Sequence, residues 1–230
     1  MKRPCVIAAS RPWFYGIDQT LEVQLKRRCF LVQKKEELTV PWLESINPEY
    51  IFFLHWSWIL PETIWGHYES IIFHMTDLPY GRGGSPLQNL ISRGHTDTVI
   101  TALRCTGGID DGPIYLKEPL SLNGSAEEIF LRAIPIMTRM LTRIITEKII
   151  PTPQEGEVVR FTRRTPSQSN IEGRTTLKEL YDLIRMLDAD SYPKAFLNSG
   201  PFHLEFSKAS FEDEAIEAKV TISLAKTKDI

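Results

Sequence analysis

The chain has 230 residues, 42% of them hydrophobic and 24% charged, which is the composition of a folded globular protein and excludes a disordered or fibrous one. Its 27 basic and 29 acidic residues leave a formal net charge of -2, which argues against a nucleic-acid partner because phosphate binding usually needs a basic excess. Three scattered cysteines exclude a disulfide framework and a CxxC-type zinc site.

The N-terminal apolar run is too short for a secretory signal, and no run approaches the roughly 20 residues needed to cross a bilayer. We therefore expect a cytoplasmic protein without a membrane partner.

The first third of the chain alternates short β-rich runs with helical segments, the pattern of a mostly parallel sheet with crossover helices. The predicted strands are Cys5–Ala9, Cys29–Gln33, Tyr50–His55 and Ser70–His74, and the predicted helices are Ile17–Arg27, Thr39–Ile46 and Ile59–Tyr68. This order predicts an α/β fold, with a Rossmann-like sheet that carries helices on both faces.

A segment rich in glycine and proline, Leu78–Pro86, follows the fourth strand and is predicted to be a loop. A helix over Leu87–Ile91 and strands over Thr98–Arg104 and Pro113–Leu116 come next. A long helix over Ser125–Lys148 begins with a capping box of Ser125 and Glu128. Its apolar stripe is typical of a core-facing helix and contains Ile129, Ile136, Met140, Leu141, Ile144 and Ile145.

The composition changes at Pro151–Gly156, which is the predicted domain boundary. Residues 1–150 are expected to form the catalytic domain. Residues 151–230 are expected to form a small α+β appendage for acceptor binding or dimerisation. In it, Val158–Arg163 is a predicted strand, Thr175–Leu187 a helix, and Phe202–Ser207 with Glu217–Leu224 an antiparallel pair.

Ligands of a doubly wound sheet bind at the carboxyl ends of its strands, so His55 and His74 are the first candidates for chemistry. A serine triad is disfavoured because GxSxG is absent, and a metal site because the five histidines are dispersed. Neither GxGxxG after the first strand nor the GxxxxGK[ST] frame occurs, so a dinucleotide or P-loop site is also unsupported.

One set of candidate site residues remains after these exclusions: a histidine at a strand end, a glycine-rich segment, and an aspartate in a later turn. It is written His74-Met75-Thr76-Asp77-Leu78-Pro79, then Tyr80-Gly81-Arg82-Gly83-Gly84-Ser85-Pro86, then Asp110-Asp111-Gly112-Pro113-Ile114. In order and spacing this resembles the signature of the folate-dependent formyltransferase family. The similarity covers roughly fifty residues and extends into the C-terminal region.

The resemblance implies an enzyme that uses N10-formyltetrahydrofolate as co-substrate and no metal, with His74 and Asp110 as catalytic residues. It also implies folate-binding positions at Gly81, Arg82, Gly83, Gly84, Ser85, Cys105, Gly108 and Asp110. One departure stands out: the family usually has a catalytic asparagine where this sequence has Ile72. We hypothesise that His55 and Ser57, after the neighbouring strand, supply the lost hydrogen-bond donor.

The modest, weakly charged C-terminal region argues against tRNA as the acceptor. Among the members of the family, the resemblance then best implies those that formylate the amine of a nucleotide-linked amino-deoxysugar, as in lipopolysaccharide O-antigen biosynthesis. Candidate acceptor-binding residues are Trp13, Tyr15, Trp56, Trp58, Arg163 and Arg164, although the aromatic side chains could equally fill an interface. The alternatives are a methionyl-tRNA formyltransferase, a formyltetrahydrofolate hydrolase, or a silent folate- or nucleotide-sugar-binding protein. A homodimer through the C-terminal strands is also possible.

Overall fold

The computed structural model describes residues 2–190 and 192–225. The strands are Cys5–Ala8 (β1), Cys29–Val32 (β2), Tyr50–Phe53 (β3), Glu69–His74 (β4), Tyr80–Gly83 (β5), Asp97–Arg104 (β6), Ile114–Ser121 (β7), Val159–Phe161 (β8), Ala195–Ser199 (β9), Phe202–Glu212 (β10) and Ala215–Leu224 (β11). The helices are Ile17–Leu25 (α1), Val40–Ile46 (α2), Glu62–Trp65 (α3), Pro86–Ser92 (α4), Ala126–Glu147 (α5) and Leu177–Arg185 (α6).

A six-stranded sheet with the order β2-β1-β3-β4-β6-β7 forms the centre of the fold. Strands β2, β1, β3 and β4 are parallel to one another, whereas β6 runs antiparallel to β4. All four residues of β1 are fully buried, which explains why this strand is continuously apolar. The predicted α/β fold with a mostly parallel Rossmann-like sheet is therefore confirmed.

The register of the first two strands brings two cysteines side by side, which their distance in the sequence conceals. Cys5 pairs with Cys29 across β1 and β2, and both are buried as free thiols. The guanidinium group of Arg27 donates to the Cys5 sulfur at 3.3 Å and to Glu49 at 2.7 Å. These side chains lie at the amino ends of the strands, away from the edge where ligands are expected.

Two local predictions are wrong. The helix expected over Ile59–Tyr68 is reduced to Glu62–Trp65, because Pro61 is its N-cap and Gly66 directly follows its last turn. The glycine-rich segment is not a loop throughout, since Tyr80–Gly83 forms β5 and pairs with β8. The Val159 amide donates to the Pro79 carbonyl at 3.3 Å. A segment far along the chain therefore forms backbone hydrogen bonds with a stretch that the sequence predicted to be a loop.

Helix α5 begins with the predicted capping box. The Ser125 amide donates to the Glu128 carboxylate at 2.7 Å, and the Glu128 amide donates to the Ser125 hydroxyl at 3.3 Å. The apolar stripe is buried except at Ile136, which is half-buried, while Met137 lies in the core instead. In the middle of the helix, the buried position is therefore Met137 and not the neighbouring Ile136 that the sequence predicted.

The described residues group into two compact units. The first is drawn from Met1–Gly83, Thr98–Leu120 and Leu131–Arg160, and the second from Gly84–Asp97, Ser121–Phe130 and Phe161–Ile230. The second unit contains a three-stranded antiparallel sheet, β11-β10-β9, which confirms the predicted C-terminal pair and adds β9. The division of function at residue 150 stays a prediction. None of the helices in the described part of the chain is long and apolar enough to span a membrane.

Candidate active site

His74 is the last residue of β4, one of the inner strands of the central sheet, and is only 7% exposed. Its Nε2 atom lies 2.9 Å from the carbonyl oxygen of Gly81 in β5. Because a carbonyl can only accept a hydrogen bond, Nε2 carries the hydrogen in this arrangement. The other ring nitrogen, Nδ1, is then the position at which His74 can take up or release a proton.

Asp110 faces that second nitrogen. Its Oδ2 atom lies 3.7 Å from His74 Nδ1, which is too long for a hydrogen bond but within the range of charge attraction. The same oxygen accepts a hydrogen bond of 2.9 Å from the Gly83 amide. Asp110 has a positive φ of 50°, an uncommon backbone conformation for a residue with a side chain. The structure therefore brings the two predicted catalytic residues together.

The predicted glycine-rich folate-binding positions separate into two groups. Gly81, Arg82 and Gly83 lie in β5, and the backbone of both glycines contacts the catalytic pair. Gly84 and Ser85 contact a different segment, the residues after β8. A Cβ on Gly84 would lie 2.5 Å from the Arg163 Cβ, and the Ser85 hydroxyl accepts a hydrogen bond from the Arg164 amide.

The loop after β6 carries two more of the predicted folate-binding residues, Cys105 and Gly108. Burial raises the pKa of the Cys105 thiol to about 11, so the thiol stays protonated at neutral pH and is a poor nucleophile. A Cβ on Gly108 would overlap the Asp111 carboxylate at 1.8 Å, and one on Gly112 would overlap the Arg104 carbonyl at 1.9 Å. The clash at Gly112 is with the backbone, so this glycine is needed for the loop to follow its path, whereas the Asp111 side chain could move away from a Cβ at position 108.

The sequence interpretation missed one residue of the site, Gln154. Its amide nitrogen donates to the carbonyl oxygens of Asp110 at 2.8 Å and Gly112 at 2.9 Å. Its amide oxygen accepts from Arg82 Nε at 3.1 Å and from Nη2 at 2.8 Å. Gln154 lies in the proline-rich segment that the sequence marked as a boundary, and no feature of its residue type or spacing distinguished it.

Ile72 occupies the position of the family asparagine. It is half-buried and packs against a hydrophobic cluster that includes Ile51, Phe53 and Cys105. Residues two apart in a strand share a face, so Ile72 and His74 lie on the same side of β4. An aliphatic side chain there cannot donate a hydrogen bond, so the departure noted in the sequence is a real chemical difference.

His55 follows β3 and adopts a positive φ of 52°. Burial and the positive charge of Arg11 lower its pKa to about 4, so the ring is neutral at physiological pH. Its carbonyl accepts a hydrogen bond from the Ser10 hydroxyl at 3.1 Å, and its ring meets Trp13 edge-on at 5.6 Å. Ser57 is exposed. Whether His55 and Ser57 replace the missing donor stays a prediction, with single alanine variants as its test.

The low pKa of His55 predicts that the folded protein loses stability as the pH is lowered. The unfolded chain binds a proton to His55 at its ordinary pKa of about 6.5, whereas the folded protein does not until about pH 4, so stability falls as the pH is lowered through this range. We expect His55→Asn, which suits a positive φ, to remove up to about 2–3 kcal/mol of that pH dependence. Urea unfolding at several pH values measures it. An unchanged pH dependence in the variant would exclude His55 as the source.

The candidate acceptor residues lie on both units. In the first unit, Trp56 and Trp58 pack edge-to-face with centroids 4.7 Å apart, and Tyr15 is 70% exposed. Trp13 lies beside His55, as described above. In the second unit, Arg163 is exposed and Arg164 is half-buried, with a pKa lowered by burial and by the nearby charge of Arg174. Their roles in binding stay predictions.

A cavity of about 260 Å³ lies at the other end of β4 from His74. It is lined by residues 65–70 and Arg104, and Glu69 there is paired with Arg104 at 2.6 Å. Because His74 and Asp110 lie at the opposite strand end, this cavity is not the candidate active site. No group of three or more potential metal ligands is found among residues 2–190 and 192–225.

Comparison with known proteins defines the class of this fold and site. Residues 166–223 match the family described as methionyl-tRNA formyltransferase, C-terminal domain. A solved structure of methionyl-tRNA formyltransferase from Clostridium thermocellum is 44% identical, with a TM-score of 0.94 over 97% of this chain and 100% of that one. A likely sugar N-formyltransferase from Mycobacterium tuberculosis is 13% identical, with a TM-score of 0.69 over 85% of this chain and 92% of that one, which shows the shared fold.

A methionyl-tRNA formyltransferase from Wolinella succinogenes is 28% identical over 172 residues, or 72% of this chain and 55% of that protein. The chain spans about half the length of the curated relatives that it matches. The fold is thus the one that these formyltransferases share. The chain belongs to the formyltransferase family, as its motifs indicated.

Proposed function

We propose that this chain transfers a formyl group from N10-formyltetrahydrofolate to the amine of methionyl-tRNA. The observation that carries the transfer chemistry is the buried His74–Asp110 pair, with 3.7 Å between Nδ1 and Oδ2 at the carboxyl end of β4. The choice of acceptor is supported by the 44% identity to a methionyl-tRNA formyltransferase over the whole of that chain. We therefore propose methionyl-tRNA in place of the amino sugar, which the net charge of the chain and the length of its C-terminal region favoured in the sequence analysis.

The residues around the pair fit the folate co-substrate. The loop after β6 presents Ile109, which is 61% exposed and follows Gly107 and Gly108 in the chain. An apolar surface next to backbone donors and acceptors suits a flat heteroaromatic ring with an amide edge. These residues would hold the pterin, and the co-substrate supplies the formyl group.

The chemistry assigned to the pair follows from its hydrogen bonds. With Nε2 held by the Gly81 carbonyl, a protonated Nδ1 of His74 donates to the formyl oxygen as negative charge develops there. The Asp110 carboxylate stabilises that protonated ring and, through water, receives the proton that the attacking amine loses. The amine first adds to the formyl carbon to give a tetrahedral oxyanion, and the collapse of this oxyanion breaks the bond from the formyl carbon to N10, which takes a proton from His74.

A nucleotide-linked amino sugar is the second candidate acceptor. The formal charge of -2 favours it, because a tRNA-binding protein usually carries a basic excess. The folds of a likely sugar N-formyltransferase and of a 4-N formyltransferase also match over 92% of each of those chains. Formyltetrahydrofolate hydrolysis and ligand binding without turnover are the remaining alternatives.

Three parallel assays separate these functions. The purified chain is given N10-formyltetrahydrofolate with methionyl-tRNA, with nucleotide-linked amino sugars, or with water alone, and the release of tetrahydrofolate is followed. We expect release that depends on methionyl-tRNA. Release with amino sugars alone would support the second candidate, release in water alone a hydrolase, and folate binding without release in any assay a silent binding protein.

Arg163 and Arg164 provide a test of the tRNA acceptor. If they contact phosphates, each alanine variant should raise the KM for methionyl-tRNA and lower the slope of log KM against log salt by about 1, with kcat little changed. Arg28→Ala, an exposed arginine beside Phe30 in the first unit, is the matched control. An unchanged salt slope in both variants would remove these arginines from the acceptor site.

The homodimer and the cytoplasmic location stay predictions. The C-terminal hairpin offers a surface for dimerisation, since Val220, Ile222 and Leu224 of β11 are 42%, 64% and 73% exposed. Sedimentation of the purified protein measures the oligomeric state directly.

A further inference from the structure

The segment Pro151–Gly156, which the sequence marked as a domain boundary, contains Gln154, whose side chain is hydrogen-bonded to the loop that carries Asp110. Gln154 uses both amide hydrogens on the carbonyls of Asp110 and Gly112, and its oxygen accepts two bonds from Arg82. The donor side of this amide is saturated. Gln154 thus connects the loop that carries Asp110 to the strand that contacts His74.

Both ends of this connection lie next to the reacting groups. Asp110 has a positive φ, a conformation that persists only where its surroundings impose it, and Gln154 binds the carbonyl of that residue. Arg82 lies between Gly81, whose carbonyl holds His74, and Gly83, whose amide holds the Asp110 carboxylate. A shift of either end would change the separation of His74 and Asp110.

A purely structural role is a weaker explanation for Gln154. The segment that carries it is already attached by the backbone of Thr152, which donates to Ile114 at 2.9 Å and accepts from it at 2.7 Å. Gln154 is therefore not needed to hold its own segment in place. Its hydrogen bonds go instead to the loop and the strand of the site.

We propose that Gln154 is a positioning residue that sets the separation of His74 and Asp110, and through it the rate of formyl transfer. The expected effect on the rate rests on the proposed function. The expected effect on the position of the loop rests only on the hydrogen bonds of Gln154. Catalytic groups displaced by about 1 Å can lose up to about 100-fold in rate. The rate constant, more than substrate affinity, should respond.

The decisive variant is Gln154→Glu, which retains an acceptor for Arg82 but, when ionised, has no hydrogen to give to the two carbonyls. We expect kcat to fall about 10- to 100-fold at pH 8 with a small change in KM, because a carboxylate facing the two carbonyl oxygens repels them instead of donating to them. Gln154→Ala, which removes all four hydrogen bonds, should show a loss of similar size. Gln19→Glu, on the exposed face of α1, is the matched control.

Hydrogen exchange supplies a readout that needs no activity. Amides of residues 105–112 should exchange faster in Gln154→Ala than in wild type, while those of β1 and β3 should not change. Unchanged exchange in that loop, or full kcat in Gln154→Glu at pH 8, would overturn the positioning role. If wild type transfers no formyl group but the loop still loosens, the proposed function fails and the structural part of the inference stands.

Discussion

His74→Ala should lower kcat for formyl transfer by about 100- to 1,000-fold, the usual effect of removing a donor to a developing oxyanion. The variant should still fold, because the lost side chain makes one hydrogen bond, to the Gly81 carbonyl, whose net contribution is about 1 kcal/mol. Steady-state rates and thermal unfolding of the same preparations measure both effects.

His67→Ala is the control for this variant. His67 is an exposed histidine that precedes β4, so its removal tests the loss of an imidazole without touching the site. Its kcat should stay within about twofold of wild type. A folded His74→Ala protein with a near-normal rate would contradict the assignment of His74.

Asp110→Asn should lower kcat by about 100-fold or more, because the amide cannot take a proton or balance a protonated His74. Asparagine is among the residues that best tolerate a positive φ, and its side-chain oxygen can still accept from the Gly83 amide. The variant therefore removes the charge while it preserves the backbone. Folate affinity, measured by fluorescence titration, should change much less than kcat.

Asp110→Ala provides a comparison, since it adds backbone strain to the loss of charge and should be less stable than Asp110→Asn. Asp97→Asn, which removes an exposed carboxylate bonded to Thr96, is the control for the loss of one charge. If Asp110→Asn retains full kcat, Asp110 has no role in proton transfer and serves the loop only.

Several strands and helices could be predicted from the sequence because each depends on a pattern among neighbouring residues. The apolar run at β1 and the capping box at Ser125 and Glu128 report on residues within a few positions of one another. The motif around His74 and Asp110 likewise keeps its order and spacing in the sequence. These residues also proved to be neighbours in space, as the resemblance implied.

Other features depend on partners far away in the chain, and no local pattern encodes them. The strand at Tyr80–Gly83 exists because Val159–Phe161 pairs with it, and the pKa of His55 is low because the folded chain buries the ring near Arg11. Neither partner can be identified from spacing.

Length, composition and motif spacing by themselves indicated the fold class, the family and the candidate pair His74 and Asp110, because strand and helix periods and short motifs are local properties. The net charge suggested a small acceptor, but net charge reports only an average over the surface, and the 44% identical structure is of a methionyl-tRNA formyltransferase. Only the tertiary structure decided that Gln154, within the presumed boundary, belongs to the site. Its four hydrogen bonds join residues 42 to 72 positions apart, and only folding brings the atoms of such residues to 2.8–3.1 Å from one another.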